Sequence, residues 1–173
     1  MNSSFKPRTL FLRTLGVLIV LIVIVGIWYS LKEKPSAPNL SFTTIQGETL
    51  TLSQLRGKAV LINFWATSCP GCVKEMPEIE QTYKQWHKKG FVVLAIAMSY
   101  DSLNYIRPFQ KKEGLTFPIV YDKEGKLAHA FKNVELTPTD FYIDPRGHII
   151  QETVGATNFK KLNAWLSQTL VQG

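Results

Sequence analysis

Cysteine and histidine are scarce in this sequence, at two and three of 173 residues. Two cysteines cannot build a disulfide-dense scaffold. No period or low-complexity tract recurs, and Gly 11 and Pro 9 are ordinary amounts, which excludes solenoids, collagen and wholesale disorder. An arginine-rich run is also missing. The first 34 residues hold five of the twenty Lys/Arg and one of the thirteen Asp/Glu, so the net charge of +7 leaves only +3 for the rest of the chain. No nucleic-acid partner is expected, because that binding needs a concentrated basic patch. With 45% hydrophobic and 19% charged residues, the chain can bury one core and forms a single folded domain.

What it does have is one long apolar run. Thr14 to Leu31, TLGVLIVLIVIVGIWYSL, passes 18 residues without a charge, about 27 Å as a helix and close to a bilayer core. It is apolar on every face, unlike the helix of a soluble domain. The alternative is a cleaved secretory signal, whose apolar region is shorter and ends in small residues. Here Trp28, Tyr29 and Leu31 stand where small residues should, and the two aromatics suit a membrane interface. Lys6, Arg8 and Arg13 precede the run without an acidic residue, whereas Lys32 and Lys34 follow it beside Glu33. The positive-inside rule then keeps residues 1–13 in the cytoplasm. The expected organisation is a transmembrane signal anchor at 14–31, a linker at 32–39 containing KPSAPN, and a folded domain at 40–173. A single-pass protein of the inner (cytoplasmic) membrane would hold that domain in the periplasm or its equivalent, where thiols tend to be oxidised.

In the body, SFTTIQGETLTL reads as two short strands about a turn at Gln46 and Gly47. AVLINFWA (59–66) and FVVLAIAM (91–98) are continuous apolar runs suited to strands buried on both faces. Between them Val73, Met76, Ile79, Tyr83 and Trp86 recur at steps of three and four, an amphipathic helix that stops before Gly90. Ser102 can cap a helix through about Lys112, FPIVYD (117–122) offers a short strand, and 125–132 a further helix. TDFYID and HIIQETV flank Pro145, Arg146 and Gly147 as an antiparallel hairpin. Phe159, Leu162, Leu166 and Leu170 then share one face of a last helix. This order implies an α/β fold: a central mixed sheet with parallel crossovers, an antiparallel edge and flanking helices. Pro108, Pro118 and Pro145 read as ordinary breakers.

Cys69, Pro70, Gly71 and Cys72 lie where the first buried strand turns into the striped helix. At a helix start, unpaired N–H groups and the positive end of the dipole favour a thiolate, so Cys69 is the candidate nucleophile. Cys72, one turn further and deeper, can attack a mixed disulfide on Cys69 and is the candidate resolving thiol. Three other readings stand beside this one. A zinc site needs four ligands, but His87, His129 and His148 are single residues in unrelated elements. A structural disulfide over so small a loop would constrain the unfolded chain little. An inert buried pair is disfavoured by the helix start. Neither a metal nor a cofactor is expected.

The run W-A-T-S-C-P-G-C-V-K-E-M-P (65–77) resembles the thioredoxin superfamily, and in detail its membrane-tethered, extracytoplasmic TlpA/ResA-like branch. The resemblance implies a thioredoxin-like fold from about Leu40 onward, with an N-terminal β-hairpin extension and an insertion near residues 100–115. It implies that Pro77 kinks the active-site helix, against the alternative of a proline that starts it. Glu75 matches a buried acid proposed to exchange protons with the resolving cysteine, against the alternative of a solvated helix glutamate. Thr137-Pro138 matches the cis-proline loop that faces the cysteines, where the Thr137 backbone can pair with an extended partner. Trp65 is retained, a candidate of the substrate-binding region that packs beneath the active site. Two positions depart from the family. Asn63 stands where many thioredoxins carry a buried aspartate, leaving Glu75 as the only expected nearby acid, and Ser68 replaces a frequent tryptophan before the first cysteine.

By resemblance the chain is an extracytoplasmic thiol-disulfide oxidoreductase working as a protein-disulfide reductase. Electrons would come from a membrane thiol carrier of the DsbD or CcdA type, and clients would include apocytochrome c or oxidase assembly factors. A thiol oxidase of the same fold is one alternative, since Pro-Gly between the cysteines matches neither the reductant nor the strong-oxidant pattern. A copper-delivery chaperone is another, using both cysteines and a distant histidine, but those proteins carry three residues between the cysteines. The peroxiredoxin pattern P-x-x-x-T-x-x-C is absent, with Ala66 at the threonine position.

Overall fold

A computed structural model describes residues 16–25 and 35–171. The chain separates into two units, Met1–Lys34 and Pro35–Gly173. In the first, residues 16–25 are helical, with Val17 to Val25 exposed. Among the described residues no helix is long and apolar enough to cross a membrane. The remaining residues of the expected anchor, 14–15 and 26–31, lie outside the described residues.

The second unit is a five-stranded sheet plus a separate hairpin. Strands β1 (Ser41–Thr43) and β2 (Thr49–Thr51) pair antiparallel as that hairpin. The central sheet comprises β3 (Ala59–Trp65), β4 (Phe91–Ala97), β5 (Ile119–Tyr121), β6 (Thr139–Ile143) and β7 (Ile149–Val154), in the spatial order β5-β4-β3-β6-β7. The β3–β4 and β4–β5 pairs are parallel, whereas β6 and β7 add antiparallel. This is the thioredoxin-like arrangement. Helices α1 (Pro70–Trp86), α2 (Leu103–Glu113), α3 (Lys126–Ala130) and α4 (Phe159–Val171) complete it.

Every residue of β3 is buried, yet the strand still alternates between two cores. Ala59, Leu61 and Trp65 pack with Met76, Ile79 and Trp86 of α1, Ile106 of α2 and Leu162 and Leu166 of α4. Val60, Ile62 and Phe64 join Phe42, Leu52, Leu55, Ala128 and Phe131 on the opposite face. The period-2 pleat therefore sends Asn63 to the α1 side, between Leu61 and Trp65. Each large side chain so buried contributes roughly 1.5–3 kcal/mol, which holds α1 on the sheet.

Several local expectations are corrected. Ser102 sits at the cap position of α2 but makes no capping bond with its side chain; the Asp101 carboxylate accepts the Ser102 N–H instead, at 2.7 Å. Pro108 does not break α2 but lies inside it. Proline frees the carbonyl four residues earlier, and both Pro108 and Asn104 are exposed, so water can satisfy that group. The helix expected over 125–132 is only Lys126–Ala130: the Asp122 carboxylate caps the N–H groups of Leu127 and Ala128, and Lys132 and Asn133 turn to positive φ. Residues 35–37 run along the β6–β7 turn, through the Ser36–His148 bridge and an Ala37 N–H bond to the Gly147 carbonyl.

Candidate active site

The site is assembled at the C-terminal end of β3. Residues 66–69 turn the chain back, with the Cys69 N–H bonded to the Ala66 carbonyl, and Cys69 becomes the N-cap of α1 with φ −95° and ψ 105°. Pro70 at the first helical position needs no N–H partner and is pre-set for the helix. The Cys72 N–H donates to the Cys69 sulfur at 3.2 Å. Cys69 and Cys72 are joined as a disulfide with Cα atoms 5.3 Å apart. Their surroundings differ. Cys69 is half-buried at the rim, whereas Cys72 is fully buried.

The loop before β6 covers this turn. Thr137-Pro138 is a cis peptide bond, and the Cys69 sulfur lies 3.6 Å from the Thr137 carbonyl oxygen. A Cβ on Gly71 would stand 3.9 Å from Pro138 Cδ, so the four-residue cysteine turn and the proline are neighbours. Tyr100, exposed, places its hydroxyl 3.3 Å from that of Thr137. Beneath, Trp65 is fully buried, with its ring 5.3 Å from that of Phe109. It packs under the site and presents no surface to a bound partner, which corrects its place among the substrate-binding candidates. On the approach to Cys69, Asp101 accepts the Thr67 N–H and hydroxyl at 2.6 and 2.8 Å. Pro77 lies in the interior of α1 and does not start it.

Glu75, one turn after Cys72, is 6% exposed and is not the only acid there. Asp140 on β6 is opposite Asn63 in the β3–β6 ladder and is fully buried. The Asn63 amide nitrogen donates to Asp140 Oδ1 at 2.8 Å and to Glu75 Oε1 at 3.4 Å. Thr157, before α4, gives its N–H to Glu75 Oε2 at 3.1 Å and its hydroxyl to Asp140 Oδ2 at 2.5 Å. Burial pushes the Glu75 carboxyl up to about 7, with the Asp140 charge adding and the Thr157 and Asn63 bonds opposing. Burial also raises Asp140, to about 6, against its bonds from Thr157 and Asn63. One sequence signal could have found Asp140: an acid at the second position of the buried strand Thr139–Ile143, two residues after Pro138. Nothing local marked Thr157, Asp101 or Tyr100.

The histidines are elsewhere. His87 stacks on Tyr83, His129 is exposed on α3, and His148 faces Asp144 at the end of β6 opposite to Pro138. Among the described residues no group of three or more metal-capable side chains forms.

A thioredoxin-like domain with a disulfide between a rim cysteine that caps a helix and a buried cysteine one turn on is built for thiol-disulfide exchange. The model of the AhpC/TSA family matches residues 34–152. Thiol-disulfide oxidoreductase ResA of Geobacillus kaustophilus is 35% identical over 161 residues, 87% of this chain and 90% of that protein. ResA of Bacillus subtilis is 32% identical over 171 residues, 94% of each. The crystal structure of a thiol:disulfide interchange protein of the thioredoxin family from Chlorobium tepidum superposes with a TM-score of 0.73 at 29% identity, covering 80% of this chain and 97% of that one. The chain belongs to the AhpC/TSA family and, within it, to the ResA-like thiol-disulfide oxidoreductases. It is a redox enzyme acting on disulfide-bearing proteins.

Proposed function

We propose that the protein is a membrane-anchored, extracytoplasmic reductase of protein disulfides, with Cys69 as nucleophile, Cys72 as resolving thiol and Glu75 as proton acceptor. The observation that carries the division of labour is the contrast between half-buried Cys69 at the helix cap and fully buried Cys72. An incoming sulfur can reach the first and not the second.

In the reduced enzyme the Cys72 N–H and the helix dipole favour a thiolate on Cys69. That thiolate attacks one sulfur of the client disulfide; the client S–S bond breaks, a mixed disulfide forms, and the first client thiolate leaves and takes a proton from water. Cys72 passes its proton towards Glu75 and attacks the Cys69 sulfur. The Cys69–Cys72 disulfide forms, the second client thiolate is released, and two electrons have passed from enzyme to client. An extended client segment pairs with the backbone of Thr137 beside Pro138, in the manner of an added strand.

Residues 14–31 serve as the membrane span, with residues 1–13 cytoplasmic, 32–39 linking, and the domain outside the inner membrane. Their charge-free length and the basic residues before them support this. A membrane thiol carrier of the DsbD or CcdA type returns the pair to the dithiol, and apocytochrome c or oxidase assembly factors are the client class this placement suits.

The test is the reduction potential of the Cys69–Cys72 pair in the full chain in detergent, by equilibration against glutathione or dithiothreitol with thiol trapping. A value near or below about −270 mV supports the reductase, whereas one near about −120 mV makes the protein an oxidase.

A further inference from the structure

We infer that Asp140 is a positioning residue of the redox centre that, clamped by Asn63 and Thr157 beside Glu75, shares one proton with it and so governs when Cys72 can be deprotonated. The inference deepens the proposed function and rests on Glu75 as the proton acceptor.

The hydrogen-bond inventory carries it. Four donor hydrogens enter the cluster: two from the Asn63 amide, the Thr157 N–H and the Thr157 hydroxyl. Five oxygen acceptors face them, because Asn63 Oδ1 is buried and has no hydrogen-bond partner among the described residues. An unpaired buried acceptor is costly, and the cluster has one donor hydrogen fewer than it has acceptors, a shortfall that a proton retained on one carboxyl makes up. Two carboxylates held by one amide in an apolar core cannot both ionise readily.

The clamp also sorts the two acids. Both Asp140 oxygens accept short bonds, at 2.8 and 2.5 Å, which suits an anion. Glu75 is held more loosely, by bonds of 3.1 and 3.4 Å, and stands on α1 one turn from Cys72. The shared proton therefore resides chiefly on Glu75. Its proton affinity approaches that of a thiol, and transfer from Cys72 comes nearer to balance. From β6 the pair also meets Tyr142, whose phenol is pushed up by burial and then by the two acids, so it stays neutral. From its own helix Glu75 meets Cys72, and from the segment before α4 the neutral Thr157. Among the described residues no cation acts on Glu75 or Asp140.

The experiment follows the carboxylic-acid carbonyl stretch by infrared spectroscopy on the oxidised full chain in detergent, titrated over about pH 5 to 9. A buried protonated carboxyl should persist to near neutrality, and in Glu75→Gln its near-neutral part should vanish, leaving only a carboxyl that titrates near 6. In Asp140→Asn its midpoint should fall by about one pH unit, since a neutral neighbour no longer opposes ionisation. Thr157→Val, which removes the hydroxyl that lowers both acids but keeps the backbone N–H on Glu75, should move the midpoint the opposite way, and Thr157→Ser should restore it. It also serves if Asp140→Asn fails to fold. An unmoved midpoint in the folded variants overturns the inference. The pH profile of disulfide reduction, measured on the same samples, should shift with the band. A band that shifts while the reduction profile does not would sink the acceptor role of Glu75, leaving the shared proton itself standing.

Discussion

Asn63 and Asp140 stand opposite each other in the antiparallel β3–β6 ladder, and a 2.8 Å hydrogen bond joins their side chains on the face covered by the cysteine-bearing helix. The same amide nitrogen reaches Glu75 of that helix, so one neutral residue ties the sheet, the helix and two acids into a single polar cluster under the redox pair. A polar group this deep is costly unless satisfied, which makes the cluster a feature of function more than of stability.

The cysteine roles give the first expectation. Cys72→Ala should accumulate client proteins as mixed disulfides on Cys69, whereas Cys69→Ala should accumulate none. Non-reducing electrophoresis of the full chain expressed in an oxidising compartment reads this directly, and equal trapping by both variants would overturn the division.

Glu75→Gln keeps the size of the side chain but cannot accept a proton. Resolution of a mixed disulfide should slow by about 100-fold, the range of general acid–base catalysis, with little change in the fold. Stopped-flow rates that stay unchanged across about pH 6 to 9, where tuned thiols titrate, would rule out the role.

The buried acids also link stability to pH. Glu75 titrates near 7 when folded against an ordinary 4.5, and Asp140 near 6 against 3.8. A raised acid binds its proton more tightly in the folded state, so its stabilisation is full below the ordinary value and is lost as pH rises through the folded one. Between about pH 4 and 7.5 these two acids should therefore lower the unfolding free energy read from urea titrations, by up to about 3 kcal/mol for Glu75 at 1.4 kcal/mol per pH unit. Glu80 and Asp144 work in the opposite sense. Burial of each is outweighed, at Glu80 by Thr116 and Lys84 and at Asp144 by His148 and Arg146, so their contribution is present above the ordinary carboxylate range and lost as pH falls. The difference between wild type and Glu75→Gln isolates the first effect, and a difference that does not vary with pH would contradict it.

Asp101 holds the segment leading to Cys69. Asp101→Ala leaves the Thr67 N–H, the Thr67 hydroxyl and the Ser102 N–H without their acceptor. The expected loss is about 2 kcal/mol by urea unfolding, with faster hydrogen exchange at the Thr67 amide. A loss below roughly 0.5 kcal/mol would mean that the clamp contributes nothing in solution.

The sequence reading was accurate for the longer periodic segments and for the turns, less so for the Ser102 cap and the extent of the short α3 helix. The stripe Val73, Met76, Ile79, Tyr83 and Trp86 became α1, and Gly90 with φ 101° ends the turn that follows it. Pro145 to Gly147 became the β6–β7 turn, and the placement of Cys69 at a helix start was correct because that start is set by adjacent residues. Pro108 was misread because a proline can be tolerated inside a helix where the freed carbonyl is open to water, and Asn104 is exposed. Glu75 was expected to be alone because Asp140 is far along the chain.

Covalent neighbours, turn chemistry and hydrophobic period were therefore enough for the order of elements, the fold class and the cysteine turn, all of which depend on residues a few positions apart. The occupants of the buried cluster depend on long-range packing instead. An all-apolar strand carries no polar phase to say which side Asn63 faces; the pleat of β3 between two cores chose it. Asn63 and Asp140 are 77 positions apart, and Glu75 and Thr157 are 82 apart. They meet because β6 pairs antiparallel with β3 in one register and α4 packs back over the same face. A shift of one residue would send Asp140 to the opposite core.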